Sequence, residues 1–267
     1  MNILITGASS GLGQAAAEHM ASAGHTVFAL DIKPCEPKNG IIPYKADITD
    51  IDSLTAVLNS LRSENITLDA IINVAGIFHM DNLLEISEER LLKMIDVNLL
   101  GAIRVSKVFF PILNKDGKII ITSSEVAPLD PLPFNSIYSI TKTALDCYSQ
   151  ALRQEAGLLG HKVITIRPGA FATPLEKGSI PSMKEMAERS ALFGGQSERF
   201  AQIMAAFTGK PADPKRFARL VDKILCKKHP KAVYQIHTNL GLKLLSVLPK
   251  KAQVWVVGIL VGKNSNQ

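Results

Sequence analysis

Three glycines within seven residues, Gly7, Gly11 and Gly13, follow a short apolar run, Ile3 to Ile5, and precede an alanine-rich stretch that begins at Gln14. That order predicts a buried strand, a tight turn and a helix start. Gly7 can turn the chain at positive φ, the bare backbone of Gly11 lets a phosphate approach, and Gly13 lets the helix pack close to the strand. The helix N-terminus then offers free N–H groups and the positive end of its dipole to a pyrophosphate. Taken alone, the same glycines also suit an ordinary βα connection, so the rest of the chain has to discriminate.

The 267 residues, 46% apolar and 20% charged, suffice for one large α/β domain with a full core, and no Pro/Gly/Ser-rich linker divides them. Three widely spaced cysteines, Cys35, Cys147 and Cys226, suggest neither a disulfide framework nor a paired metal motif, and the six histidines form no metal-spaced cluster. No metal is expected. Strand 1 starts at residue 2, leaving no room for a signal peptide, so a cytoplasmic protein is expected. The net charge of +6 is uneven: residues 210–267 carry 12 Lys/Arg against two Asp/Glu, the rest 18 against 22. No aromatic-rich or recognition-helix pattern accompanies this basic tail, so nucleic acid is not expected as a partner.

After the glycine turn, Gln14 to Ala23 reads as a helix ended by Gly24, and Thr26 to Leu30 as a strand ending at Asp31. Asp31 is either a solvated turn residue or an acid placed to accept the two ribose hydroxyls of NAD, where it would repel the 2′-phosphate of NADP. No Arg or Lys in the glycine turn or directly after Asp31 offsets it, which favours NAD. Ile41 to Ala46 is the third strand and runs into Asp47-Ile48, followed by a helix that Thr49 and Asp50 can open. Leu68 to Asn73 is the fourth, running into Val74-Ala75-Gly76, whose small residues let backbone pass close to a ligand. Ser87-Glu88-Glu89 caps a long helix continuing to about Phe110, with Asn98, a poor helix former, in its interior. Lys118 to Thr122 forms the fifth strand and delivers Ser123-Ser124 to its C-terminal end. Tyr138 and Lys142, at i and i+4 in a helix from Ser136 to Leu159, share one face and can reach the same ligand.

In this order and approximate spacing, the glycine turn, Asp31, Asn73-x-Ala75-Gly76, Asn98, Ser124 and Tyr138-x3-Lys142 resemble the compact single-domain members of the short-chain dehydrogenase/reductase family, over residues 2–236. The resemblance implies a doubly wound parallel sheet (Rossmann fold) and hydride transfer between a nicotinamide cofactor and a hydroxyl or carbonyl carbon. It implies that Ser124 holds the reacting oxygen, Tyr138 moves its proton, Lys142 tunes Tyr138 and donates to the ribose, and Asn98 binds a water in a proton relay. A neighbouring ammonium and an oxidised nicotinamide are both expected to favour the phenolate and lower the phenol's pKa. By the same resemblance Gly7, Ser9, Ser10, Gly11, Leu12 and Gly13 cradle the cofactor's pyrophosphate end. Asp47 and Ile48 lie by the adenine, although Asp47 could equally belong to the helix start. Asn73, Ala75 and Gly76 pass under a ribose. Val163 to Ile166, a sixth strand, leads to Pro168, Gly169 and Thr173 beside the nicotinamide. Val74 departs from the family pattern, which has a second Asn there. A homodimer or homotetramer follows by analogy.

Between residues 174 and 213 regular alternation lapses, and Met183, Met186, Leu192, Phe193, Phe200, Ile203, Met204 and Phe207 suggest short helices forming a substrate lid. Such residues suit either a core or a pocket for a hydrophobic alcohol or ketone, a lipid, retinoid or steroid. A last large helix, Pro214 to Lys228, and a strand, Ala232 to Ile236, precede an extension over residues 238–267. Its apolar runs, Leu240 to Leu248 and Val254 to Val261, are each too short to span a bilayer. With Trp255 and the lysines it could lie on an anionic membrane; alternatively it covers the cleft or joins subunits. Two competing functions stay open: a catalytically silent NAD-binding scaffold, and a sugar-nucleotide epimerase or dehydratase, the latter disfavoured by the glycine spacing.

Overall fold

The computed structural model describes residues 1–207 and 209–262; at 179, 180 and 205–207, including the Phe207 of the expected lid stripe, it describes the backbone alone. Seven parallel strands form one sheet in the order β3-β2-β1-β4-β5-β6-β7. In chain order they are β1 (Asn2–Thr6), β2 (Thr26–Asp31), β3 (Ile41–Lys45), β4 (Leu68–Asn73), β5 (Leu113–Thr122), β6 (Lys162–Pro168) and β7 (Val233–Ile236). The order reverses between β1 and β4, which opens a crevice at their C-terminal ends.

Successive residues of a strand face opposite sides of the sheet. Leu4, Phe28, Ile71 and Ile119 therefore enter one core with α2 (Ile51–Ser63) and α4 (Ala102–Phe109). Ile3, Val27, Ile72 and Ile120 enter the other with α1 (Gly11–Ser22) and α9 (Lys215–Leu225). The near-continuous apolar strands follow from helices covering both faces. Ala16 and Ala17, fully buried, bring α1 close to the sheet. Asp50 caps α2 through the Asp52 N–H, and Ser87 caps α3 (Glu88–Ile95) through that of Arg90, as the cap residues predict.

Two elements differ from the sequence-based expectation. The helix expected to run unbroken from Ser87 to Phe110 is α3 and α4 joined by a π-helical turn, Asp96–Gly101. Asn98 lies in that turn, where its side chain bonds outside the helix. β5 begins five residues earlier than its apolar run, because Asp116 takes a left-handed conformation (φ 62°) and the pairing with β4 shifts register between Leu68 and Ala70.

After α5 (Ser136–Leu158) and β6 come the lid helices α6 (Pro174–Lys177), α7 (Ser179–Arg189) and α8 (Gly194–Phe207). Met80, Phe134, Met183, Met186, Phe200 and Val261 form a third core beneath them. The extension forms α10 (Leu240–Val247) and α11 (Lys250–Val261) and folds onto the lid. Val261 is buried in the lid core, Arg199 donates to the Gly262 carbonyl at 2.5 Å, and Lys250 and Gln253 both reach the Asp130 carboxylate. The outer face of the extension stays exposed, with Leu240, Leu244, Val247, Val254, Trp255 and Ile259 each more than half accessible. Among the described residues no helix is long and apolar enough to cross a membrane.

Candidate active site

The C-terminal ends of β1, β4, β5 and β6 surround a cleft of about 340 Å³. Its floor is the glycine turn. Gly7 sits at φ +68°, and a Cβ on it would come within 2.9 Å of the Ala75 backbone; a Cβ on Gly13 would lie 2.1 Å from the Gly7 carbonyl oxygen. Neither position admits a side chain. Thr6, buried, accepts hydrogen bonds from the N–H groups of Val74 (3.1 Å) and Ala75 (3.2 Å), tying the end of β1 to that of β4. Nothing in the sequence marked Thr6 beyond its place before Gly7.

Asp31 ends β2 and accepts from the N–H of Ser9 at 3.1 Å and of Lys33 at 3.0 Å, so it also holds the glycine turn. Ser10, Gly11, Leu12, Gly13, Ala75, Gly76, Pro168, Gly169 and Thr173 line the cleft. Thr173 is buried against Gly11 and caps α6 through the Glu176 N–H. Six of the expected residues do not line the cleft: Ser9, Asp31 and Asn98 lie behind its lining, and Asp47, Ile48 and Asn73 are engaged elsewhere. Asp47 is exposed and accepts from the N–H and hydroxyl of Thr49 (2.8 and 2.7 Å). Ile48 is buried against Gly101 in the core, and Asn73 donates to Ser106 Oγ at 3.2 Å.

Ser124, Tyr138 and Lys142 meet on the facing wall. Ser124 Oγ accepts from the Val126 N–H at 3.4 Å, and the Tyr138 ring stands edge-on to Phe78 at 4.8 Å between ring centroids. The Lys142 ammonium lies 5.7 Å from the Tyr138 ring centroid and donates to the Thr122 carbonyl at 3.2 Å. Asn98 accepts from the Ile77 N–H at 2.8 Å and donates to the Ile77 carbonyl at 2.9 Å and Thr141 Oγ1 at 3.3 Å. Thr141 in turn donates to the Tyr138 carbonyl at 2.8 Å, coupling the π-turn to α5.

The protein groups around Tyr138 do not by themselves lower the phenol. Burial pushes Tyr138 up to about 12; the nearby Ser124 hydroxyl opposes this and the Glu125 carboxylate adds to it. Burial likewise pulls the Lys142 ammonium down to about 8. Lys142 is 5% exposed, and desolvation of its ammonium is what lowers it.

Glu125 and the residues that pin the lid escaped the sequence reading. Glu125 accepts from the Asn239 N–H at the start of α10, tying the extension to the end of β5; burial is the main force raising its pKa. Asp81, with a fully buried side chain, accepts from Arg189 Nη2 through both oxygens at 2.7 Å, and Met80 N–H donates to Ser182 Oγ at 2.7 Å. These bonds fasten α7 to the loop after β4. Their partners are about a hundred positions apart, a separation no local pattern reveals.

The parallel sheet, the glycine turn at its switch point and the Ser/Tyr/Lys wall define an oxidoreductase of the Rossmann class. The model of the family described as short chain dehydrogenase matches residues 1–184, and the chain belongs to that family. It is 28% identical over 256 residues to a 3-ketodihydrosphingosine reductase of Bacteroides thetaiotaomicron, covering 95% of this chain and 92% of that one. It is 33% identical over 187 residues to estradiol 17-beta-dehydrogenase 2 of Mus musculus, covering 64% of this chain and 48% of that longer protein. Its fold matches a short chain dehydrogenase family protein from Francisella tularensis with a TM-score of 0.73 at 24% identity, over 88% of this chain and 96% of the other.

Members of the family use nicotinamide cofactors, NAD or NADP. The residues present fit such a group: the glycine turn, at the switch point of the sheet, forms a cradle that a Cβ would fill.

Proposed function

We propose that this chain is an NAD-dependent dehydrogenase/reductase that interconverts a hydroxyl and a carbonyl on a hydrophobic, lipid-like substrate. The observation that carries the reading is the meeting of Ser124, Tyr138 and Lys142 on one wall of a cleft whose floor is the glycine turn. Gly7 to Gly13 would hold the pyrophosphate side of the dinucleotide, Asp31 the adenosine ribose, and Ala75, Gly76, Pro168, Gly169 and Thr173 the path toward the nicotinamide. The bound cofactor supplies or accepts the hydride.

The protein's own part is orientation and proton movement. Ser124 and Tyr138 hold the substrate oxygen between them. In reduction the neutral phenol, favoured by its buried setting, donates its proton as the oxygen becomes an alkoxide. In oxidation it must first lose that proton, and Lys142, the nearby cation, stabilises the phenolate. Asn98 holds Ile77 and Thr141 in register so that α5 presents Tyr138 correctly.

Asp31 supports NAD over NADP, since its carboxylate would face a 2′-phosphate. Phe78, Leu132, Met204 and Leu242 around the cleft support an apolar substrate, as does the similarity to the 3-ketodihydrosphingosine reductase, which covers 95% of this chain. Leu92, Leu100 and Ile140, exposed on α3, the π-turn and α5, support a homo-oligomer. We place the protein in the cytoplasm, with the basic, apolar outer face of α10 and α11 available for peripheral membrane contact.

Parallel fluorescence titrations with NADH and NADPH, followed by turnover of long-chain ketones, test the reading. Tighter NADH binding with turnover is expected. Preference for NADPH would overturn the role given to Asp31, and binding without any turnover would point to a silent scaffold.

A further inference from the structure

The cleft does not end at its apolar wall. Leu132, Met204 and Leu242, which face the catalytic cleft, are also walls of a second cavity of about 90 Å³ that runs beneath α11. Its far side is made by Phe200 of α8 and by Val257 and Val261 of α11. Asn239, at the border of both cavities, accepts from the N–H groups of Gly241 (2.8 Å) and Leu242 (3.4 Å) through Oδ1, so that oxygen is spent on capping α10.

A cavity walled this way holds hydrocarbon better than water, which needs two to four polar partners. At about 10–15 Å³ per water-sized group it accommodates several methylenes in single file. It is too small for a fused ring system beside a filled cleft. The contacts of Arg199 with Gly262 and of Lys250 with Asp130 hold α11 in place as its roof.

We propose that this second cavity is the subsite for an unbranched aliphatic chain of the substrate, so that the C-terminal extension reads chain length. The inference rests on the catalytic reading of the cleft and narrows its substrate class from hydrophobic compounds in general to open-chain lipids. The chain enters between Leu132, Met204 and Leu242 while the oxygen to be oxidised or formed stays with Ser124 and Tyr138.

The test uses the full-length protein, NAD and a homologous series of unbranched secondary alcohols from four to sixteen carbons. Over the lengths that enter the cavity, kcat/KM should rise roughly fourfold per methylene, the transfer free energy of one buried CH₂, and then level off. Val257→Trp, which fills the cavity, should move that plateau to shorter chains and cost the long alcohols at least tenfold. Unchanged turnover of the shortest members would show that the variant is folded. Val257→Ala should move the plateau toward longer chains. A length profile identical in all three proteins, or none in the wild type, would overturn the proposal. If no alcohol is turned over, displacement of the apolar dye N-phenyl-1-naphthylamine by the same series decides separately. Displacement that strengthens with length in the wild type and not in Val257→Trp would keep the chain site and reject the catalytic reading. Displacement independent of length would reject the chain site itself.

Discussion

Asn98 and Ile77 are bonded in both directions: the Asn98 carboxamide accepts from the Ile77 N–H at 2.8 Å and donates to the Ile77 carbonyl at 2.9 Å. A carboxamide can do both at once, whereas an Asp or Leu cannot. The widened π-turn, a feature often found at functional sites, sets the Asn98 side chain at the end of the β4 loop. Asn98→Asp should therefore turn one of these bonds into a repulsion between two oxygens. We expect a loss of about 1–3 kcal/mol in stability and a fall in kcat, read by urea denaturation and steady-state kinetics. Unchanged values in both would show that the pair is incidental.

Tyr138→Phe removes the group given the proton while keeping the ring that packs edge-on against Phe78. Turnover should drop by about 10²–10⁴-fold, the usual worth of a positioned acid or base, with NADH affinity changed little. A variant retaining more than a tenth of wild-type kcat would remove Tyr138 from the mechanism.

Lys142 gives a pH-dependent prediction. Its ammonium is lowered from the ordinary 10.5 to about 8 by burial. Below pH 8 both folded and unfolded chains carry the charge, and the fold bears the full desolvation cost, on the order of 3 kcal/mol at about 1.4 kcal/mol per pH unit. Between pH 8 and 10.5 the unfolded chain binds more protons than the folded one, so this contribution to stability rises with pH. Lys142→Met should lose activity, be the more stable protein at pH 7, and lose that advantage as the pH rises toward 10. Urea midpoints of both proteins at pH 7 and 9.5 check this; a constant difference would contradict it.

Arg189→Ala leaves the buried Asp81 carboxylate with Arg90, at 3.5 Å, as its remaining ion-pair partner. Truncating one side of a buried pair typically costs about 3–5 kcal/mol. Because the pair joins α7 to the loop after β4, the loss should appear as local opening of the lid: faster limited proteolysis in residues 174–213 and a raised KM, with kcat less affected. Equal protection of wild type and variant would show that the lid is held by its apolar core alone.

Much of this protein is readable locally. Glycine spacing with an apolar strand before it announces the turn, period-two and continuous apolar runs announce the strands, and Asp50 and Ser87 announce their helices, because each signal depends on neighbours a few bonds away. Tyr138 and Lys142 are recognisable as a pair for the same reason: four residues along a helix make one face. The break at Asn98 was half visible, as an Asn where a helix former belongs, but the bond that favours the π-turn comes from Ile77, 21 positions earlier.

The sequence by itself determined the parallel α/β class, the order of its elements and the residue types gathered at the strand ends, since these follow from local propensity and hydrophobic period. Only the tertiary structure decided where charge and solvent meet: that burial drives Tyr138 up, that Asp81 fastens the lid, that Ile48 faces the core, and that the extension roofs a second cavity. Those outcomes depend on burial and on contacts between residues far apart in the chain. Desolvation and packing act through space, and no local pattern of residues encodes them.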